Sequence, residues 1–158
     1  MTQPIRRFLA LSPADRWLLL QAIGALPMMA LAVRTLGPGR CYRFLVRMTP
    51  VTEASARCGA GVSLRALHTG RLVGIAARRS LVRSSCLVRS MTVWWFLRRQ
   101  KIPCQLHIGV RKQQDRLEAH AWIEHEGRVI DDDADVSRRY APFSGARGVF
   151  AQRGVELP

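Results

Sequence analysis

The sequence predicts an α+β domain in which a helix packs on an antiparallel sheet, preceded by a helical region. Three observations indicate this layout: a helix start signal in the N-terminal third, a second one near residue 84, and two runs of alternating apolar residues after residue 103. The chain has 158 residues, 48% of them hydrophobic, which is enough for one modest domain with its own core.

The first predicted helix begins at Ser12, which stands at the cap position before Pro13 at the first helical position. An apolar run follows at residues 17–33, and Gly37 ends the region. Because Pro27 lacks a backbone donor and interrupts the run, the sequence predicts a helix hairpin broken near Pro27. This hairpin is expected to be buried or to touch a membrane surface.

A signal peptide or a full membrane span is the alternative for residues 17–33, and the sequence disfavours it. Asp15 and Arg16 directly precede the run, and Gln21 and Gly24 interrupt it. The run is also shorter than the roughly 20 residues that a bilayer requires. We therefore predict a cytoplasmic protein whose N-terminal helices can contact a membrane.

The middle of the chain is predicted to be helical on both sides of a connector. A basic helix is expected at residues 40–48, a small and polar connector at 49–62, and another helix at 64–79. We divide the chain accordingly into a helical N-terminal region, residues 1–62, and a domain that carries the chemistry, residues 63–158.

Cys86 lies in the first turn of the next predicted helix, which runs to about residue 100. Ser84 or Ser85 can cap this helix, and its apolar residues recur on one stripe. The unsatisfied N–H groups and the dipole at a helix start favour an anion. This position therefore favours the reactive thiolate over the thiol.

Two half-buried strands follow, at residues 104–110 and 117–124, and a turn at 125–127 leads into a third strand at 128–132. A three-residue loop with Gly127 at the position of positive φ would place His120 opposite Asp132 on one face of the sheet.

The hairpin geometry separates three adjacent aspartates. In the three-residue loop Asp131 points to the face away from His120, whereas a two-residue loop would pair His120 with Asp133 instead of Asp132.

Cys86, His120 and Asp132 have the residue types and the order of a thiol-nucleophile triad. An imidazole takes the thiol proton, and a carboxylate fixes the tautomer of that imidazole. We therefore predict a cysteine peptidase with these three residues in its active site. Trp122 shares the face of His120 and is a candidate to shield the imidazole or to bind substrate, with ordinary packing as the alternative.

A structural zinc site is the competing interpretation of the histidines. Cys104, His107, His120 and His125 have the spacing C-x2-H-x12-H-x4-H. Strand alternation, however, puts the two members of each pair on opposite faces of the sheet. We therefore expect neither a metal ion nor another cofactor.

The net charge of +14 calls for an anionic partner unless it only reflects base composition, since all but two of the 25 basic residues are arginines. Nucleic acid is not the expected partner, because the sequence has no nucleic-acid-binding motif and its arginines are spread along the chain.

The four cysteines lack the spacing of a disulfide scaffold, so reduced thiols in the cytoplasm are expected.

Three segments resemble one known family: CLVRS at Cys86, IPCQLHIGV from Ile102, and AHAWIE from Ala119. The family is that of the transglutaminase-like cysteine peptidases that remove leader peptides in lasso-peptide biosynthesis. The opening LSPADRWLLL from Leu11 is similar to the start of members that occur as a stand-alone protease chain. The resemblance implies a transglutaminase-like, papain-like core.

By this resemblance Cys86 corresponds to the nucleophile, His120 to the general base and acid, and Asp132 to the orienting carboxylate. The family also implies the partners: a precursor peptide, a small leader-binding protein, and an ATP-dependent macrolactam synthetase that closes the ring. Because residues 1–80 are predicted to be helical, without the strands of a leader-binding domain, the chain resembles the split form that uses a separate leader-binding protein.

Acidic leader peptides would be attracted by the arginines at residues 40–47 or 78–89.

Two other functions stay open. One is an acyltransferase or transglutaminase with the same triad, in which an amine replaces water. The other is a non-catalytic basic protein that binds nucleic acid or an anionic membrane through its N-terminal helices.

Overall fold

The computed structural model describes residues 10–50, 59–80, 84–113 and 116–142. The elements in these ranges are α1 (Pro13–Leu36), α2 (Pro38–Met48), α3 (Ala60–Arg79), α4 (Cys86–Arg99), β1 (Gln105–Gln113), β2 (Arg116–His125), β3 (Arg128–Val129), α5 (Val136–Arg139) and β4 (Ala141–Pro142). The predicted α+β class is confirmed, because the helices pack against one antiparallel sheet.

The sheet has the strand order β3-β2-β1-β4. β1 and β2 form the long central pair, in which Gly109 stands opposite His120. The short strand β4 pairs with β1 at Gly109 and Val110, and no sequence pattern predicted it. Helix α4 packs against β2, where the Ser90 hydroxyl donates to the Ala121 carbonyl at 3.0 Å.

Helix α1 begins as predicted, with the Ser12 hydroxyl accepting from the Asp15 amide at 3.1 Å, but it does not break at Pro27. The prediction of a hairpin broken there is wrong. A buried stripe continues on both sides of the proline and packs against α3 and α4; it consists of Leu19, Ala22, Leu26 and Met29. This packing offsets the roughly 3 kcal/mol that an interior proline costs a helix.

Helices from both predicted regions contribute to the same core. Tyr42 of α2 packs its ring 5.0 Å from that of Trp94 in α4, and Leu26 of α1 belongs to the same buried cluster. Helix α3 begins at Ala60 rather than at residue 64, and most of the predicted connector lies outside the described residues. The division at residues 62 and 63 stays a prediction.

The turn between β2 and β3 has two residues, so the predicted three-residue register is wrong. Glu124 pairs with Val129 and His125 with Arg128, while Glu126 and Gly127 take φ values of 49° and 71°. Two consecutive positive φ angles are typical of a two-residue hairpin turn of type I′.

Strand β3 ends at Val129 rather than at residue 132. The fallback pairing of Asp133 with His120 therefore does not form either. The chain bends away after Ile130, whose amide still donates to the Ile123 carbonyl at 2.9 Å.

Gly70 of α3 lets this bend approach the helix. A Cβ atom at Gly70 would lie 2.5 Å from the Ile130 carbonyl oxygen, whereas one at Gly74, a turn later, would meet only the tip of Arg78 at 3.7 Å. We expect Gly70→Ala to lower the free energy of unfolding by about 1–3 kcal/mol, because the backbone must shift. Gly74→Ala is expected to raise it by up to about 1 kcal/mol. Equal effects of the two variants in urea unfolding would contradict the close approach.

Candidate active site

Cys86 is the first residue of α4, as predicted. The side chain of Ser85 caps the helix by accepting from the Val88 amide at 3.3 Å. The Cys86 thiol is half-buried and forms no disulfide. The amides of the first helical turn have no partner within the helix, so they surround the sulfur with positive potential.

The other cysteines in the described residues lie in different surroundings. Cys41 and Cys104 are both buried, and burial raises the pKa of each thiol, that of Cys104 to about 12. Such thiols stay protonated and unreactive at neutral pH. Among the described cysteines, Cys86 is thus the accessible one; Cys58 lies outside them.

His120 of β2 and Asp132 meet directly, as the sequence predicted. His120 Nε2 lies 2.6 Å from Asp132 Oδ2. An ionised carboxylate only accepts hydrogen bonds, so Nε2 carries the proton and donates it. In the neutral imidazole, Nδ1 then presents a lone pair that can take a proton from a thiol.

Asp132 accepts from three groups. Besides His120, Arg89 Nη2 donates to Oδ2 at 2.8 Å, and the Asp133 amide donates to Oδ1 at 2.8 Å. Partial burial by itself raises the pKa of Asp132, but the hydrogen bonds from His120 and from the Asp133 amide, with the charge of Arg89, outweigh it and hold the pKa below its ordinary value. The carboxylate is therefore ionised at neutral pH.

Asp131 points away from His120 and ties the bend to the core. Its carboxylate accepts from the Ser90 hydroxyl at 2.6 Å and from the Ile123 amide at 2.8 Å. Burial raises the pKa of Asp131, and these hydrogen bonds counter only part of that effect. The single Ser90 proton is shared with the Ala121 carbonyl oxygen 3.0 Å away, so this cluster fixes α4, β2 and the Asp132 backbone relative to one another.

Helical spacing puts Cys86 on the face of α4 that meets the histidine and the aspartates. Arg89 and Ser90 come three and four residues after Cys86, and residues so spaced are neighbours on a helix surface. Arg89 contacts Asp132, and Ser90 contacts the carbonyl next to His120. The thiol therefore stands one turn from the groups that hold the histidine–aspartate pair.

Tyr140 covers the imidazole and was not predicted. Its ring stacks on His120 with centroids 4.9 Å apart and planes 23° apart, and its hydroxyl donates to Glu118 at 3.1 Å. The guanidinium of Arg111 lies over the Tyr140 ring, 4.8 Å from its centroid. Tyr140 follows the short helix α5, where no periodic pattern marks a site residue.

Trp122 is only 2% exposed and forms the layer beneath this group. It stacks on His107 with centroids 5.6 Å apart, and its indole N–H donates to Glu124 at 2.8 Å. Its ring centroid is 6.5 Å from that of Tyr140. Burial favours a supporting role over substrate contact, and the assignment of Trp122 to substrate binding stays a prediction.

The side chains of the alternative zinc set do not converge. Cys104 Sγ lies against the Trp94 carbonyl, His107 against Trp122, and His120 against Asp132. His125 Nδ1 is 2.6 Å from the Pro103 carbonyl oxygen. Within the described residues no group of three or more His, Cys, Asp or Glu side chains could hold a metal ion.

Arg89 is expected to act through Asp132. Without the positive charge the pKa of Asp132 rises, so Arg89→Met should lower kcat/KM by about tenfold, the worth of one charge-assisted hydrogen bond, and move the acid limb of the pH profile to higher pH. Arg99→Met is the matched control, because Arg99 is on the same helix but its guanidinium lies over the Trp95 ring. An acid limb that stays in place in Arg89→Met would contradict this role.

A family model described as the transglutaminase-like superfamily matches residues 30–145. The matched range covers most of the chain and includes Cys86, His120 and Asp132. No curated protein and no solved structure matches the chain significantly.

Proposed function

Because the chain belongs to the transglutaminase-like superfamily, a family of cysteine-type enzymes, we propose that it is a peptidase that removes the leader from a lasso-peptide precursor. The observation that carries the chemistry is the pairing of His120 Nε2 with Asp132 Oδ2 at 2.6 Å beside the helix that starts at Cys86. A free thiol and an imidazole paired with an ionised carboxylate are the parts that thiol peptidases need.

The proposed reaction gives one role to each of the three residues. The Cys86 thiol gives its proton to His120 Nδ1, and the sulfur attacks the carbonyl of the last leader residue. The backbone N–H of Cys86, at the first helical position, supports the oxyanion of the tetrahedral intermediate. His120 then protonates the departing amine of the core peptide, leaving a thioester on Cys86.

Water completes the cycle. His120 Nδ1 takes a proton from the water, the hydroxide adds to the thioester carbonyl, and the Cys86 thiolate leaves and is reprotonated by His120. Asp132 stays ionised throughout and stabilises the imidazolium that forms twice in each cycle. The products are a leader with a new carboxylate and a core peptide with a free amine.

The substrate assignment rests on the resemblance of the segments at Cys86, Ile102 and Ala119 to lasso leader peptidases. A separate leader-binding protein would present the precursor, and an ATP-dependent macrolactam synthetase would consume the freed amine. Basic residues dominate the helices: the sequence from residue 54 to 114 has no acidic side chain. Such a field suits an acidic leader peptide.

The test is the mass of the products formed from a precursor peptide, with the leader-binding protein present and a primary amine added. Peptidase action gives fragments whose masses sum to the precursor plus one water. An acyltransferase instead gives a leader extended by the amine. Cleavage by wild type but not by Cys86→Ser supports the proposal, and an amine adduct as the main product would replace it with acyl transfer.

A further inference from the structure

Helix α1 is apolar around its whole circumference but is buried along one stripe only. Opposite the buried stripe its large apolar side chains are exposed: Trp17 (64%), Leu20 (52%), Met28 (69%) and Leu31 (57%). No charged residue lies between Arg16 and Arg34. A helix that is apolar on all sides requires apolar surroundings on all sides, and the described part of the chain supplies them on one side.

The exposed face continues into a groove between α1 and α2. Met28 and Leu36 line one wall, Phe44 lines the other, and Trp95 of α4 forms the floor, enclosing about 480 Å³. Phe44 is itself 56% exposed. The guanidinium of Arg99 lies 4.9 Å from the Trp95 ring centroid at the edge of the groove. We call this groove together with the exposed side chains of α1 the apolar face.

Arginines border the apolar face. Helix α2 exposes Arg40, Arg43 and Arg47, and the first and last of these lie three or four residues from Phe44, on its side of the helix. From residue 17 to 52 the sequence contains no acidic residue. Asp15, at the start of α1, is bonded to His68 at 2.7 Å. Among the described residues, the charged side chains that border the apolar face are therefore positive.

We propose that the apolar face docks on an anionic lipid membrane, with α1 lying in the plane of the interface. Aromatic and aliphatic side chains would enter the acyl boundary, and the arginines would meet lipid phosphates. By length and composition α1 could also cross a bilayer. Its buried stripe, however, packs on α3 and α4, and crossing would strip that contact. Two copies meeting through this face would bring like charges together.

Flotation of the purified full chain with vesicles tests the docking. We expect the chain to float with phosphatidylcholine vesicles that contain phosphatidylglycerol, to float less without it, and to be released by salt. The contribution of Trp17 to the tryptophan emission is the part that is lost in Trp17→Phe. In the wild type, brominated lipid should quench this contribution. Failure to float with either vesicle would overturn the proposal.

Matched variants separate the apolar and charged contributions. Met28→Gln combined with Leu31→Gln should abolish flotation, whereas Leu117→Gln, at a still more exposed leucine on β2, should not. Arg40→Gln combined with Arg47→Gln should weaken binding roughly 25-fold, about a factor of 5 for each arginine. Arg128→Gln combined with Arg138→Gln removes the same charge elsewhere and should change binding far less.

The alternative occupants of the face are outcomes that overturn the proposal. One is a lipid-independent dimer, seen in light scattering, that Leu31→Gln dissociates. Another is that the wild type does not float with vesicles but binds the leader-binding protein, and that the Met28 and Leu31 changes abolish this binding. The proposal does not rest on the peptidase function, since flotation is measured on Cys86→Ala as well as on the wild type.

Discussion

Replacing Cys86 with alanine is expected to abolish cleavage of the precursor while leaving the fold unchanged. The side chain supplies the nucleophile, and loss of the nucleophile in a hydrolase triad lowers kcat by about a millionfold. Cys86 is half-buried at a helix start capped by Ser85, so the change removes little packing. Single-turnover cleavage assays, with circular dichroism to verify the helices, measure both parts of the prediction.

Cys41→Ala is the matched control for this variant. Cys41 is buried beside Met29, with its sulfur 3.8 Å from the Met29 sulfur, and lies on α2 rather than at the site. Its loss should cost about 1 kcal/mol of stability and leave cleavage intact. Cleavage that survives in Cys86→Ala, or that is lost equally in Cys41→Ala, would remove the thiol of Cys86 from the mechanism.

The second large effect is expected from Asp132→Asn. An asparagine amide can turn its NH₂ group toward His120 Nε2, which then carries the lone pair and leaves the proton on Nδ1. This is the wrong tautomer for accepting the thiol proton, and a comparable change in a serine protease lowers kcat about 10⁴-fold. We expect a fall in kcat/KM of about 10³-fold to 10⁴-fold, measured with the precursor and its leader-binding protein.

Asp133→Asn is the control that the sequence itself offers. Its side chain is 78% exposed and contacts Arg139 at 3.2 Å rather than His120. Its loss should leave kcat/KM nearly unchanged. The reverse result, with Asp133→Asn inactive and Asp132→Asn active, would mean that Asp133 rather than Asp132 orients His120.

The pH dependence of the free energy of unfolding tests the environment of Asp132. The pKa of Asp132 is lower in the folded protein than the value of about 3.9 in an unfolded chain. Its carboxylate therefore stabilises the fold above about pH 4, and this contribution is lost as the pH falls through the folded-state pKa. The difference in unfolding free energy between wild type and Asp132→Asn should shrink in acid.

Local features of the fold could be predicted from the sequence because they depend on neighbouring residues. Ser12 and Ser85 cap their helices through bonds that span three residues. The alternation after Cys104 indicates the two strands but not which side chains are buried, because Leu117 is 78% exposed and Trp122 is 2% exposed. The assignment of His120 and Asp132 to one pair was confirmed although the predicted register was wrong. The bend after Ile130, rather than strand pairing, brings Asp132 to His120.

Features that depend on packing between distant segments could not be predicted. The helix runs through Pro27 because its buried stripe contacts α3 and α4, and a proline alone does not reveal such contacts. Tyr140 and β4 reach the site only after the chain has turned at α5. Arg89 and Ser90 were missed neighbours with a sequence signal, since they stand three and four residues after Cys86 on the same helix face.

Selective alkylation of Cys86 tests most directly whether this thiol is activated. At pH about 6 an ordinary thiol is almost entirely protonated and reacts slowly with iodoacetamide. We predict that peptide mapping of the purified chain, with the leader-binding protein and leader present, finds Cys86 labelled well before Cys41 and Cys104. The rate at which Cys86 is labelled should fall in His120→Ala and stay unchanged in His68→Ala. A Cys86 labelling rate that is the same in the wild type and in His120→Ala would contradict the triad.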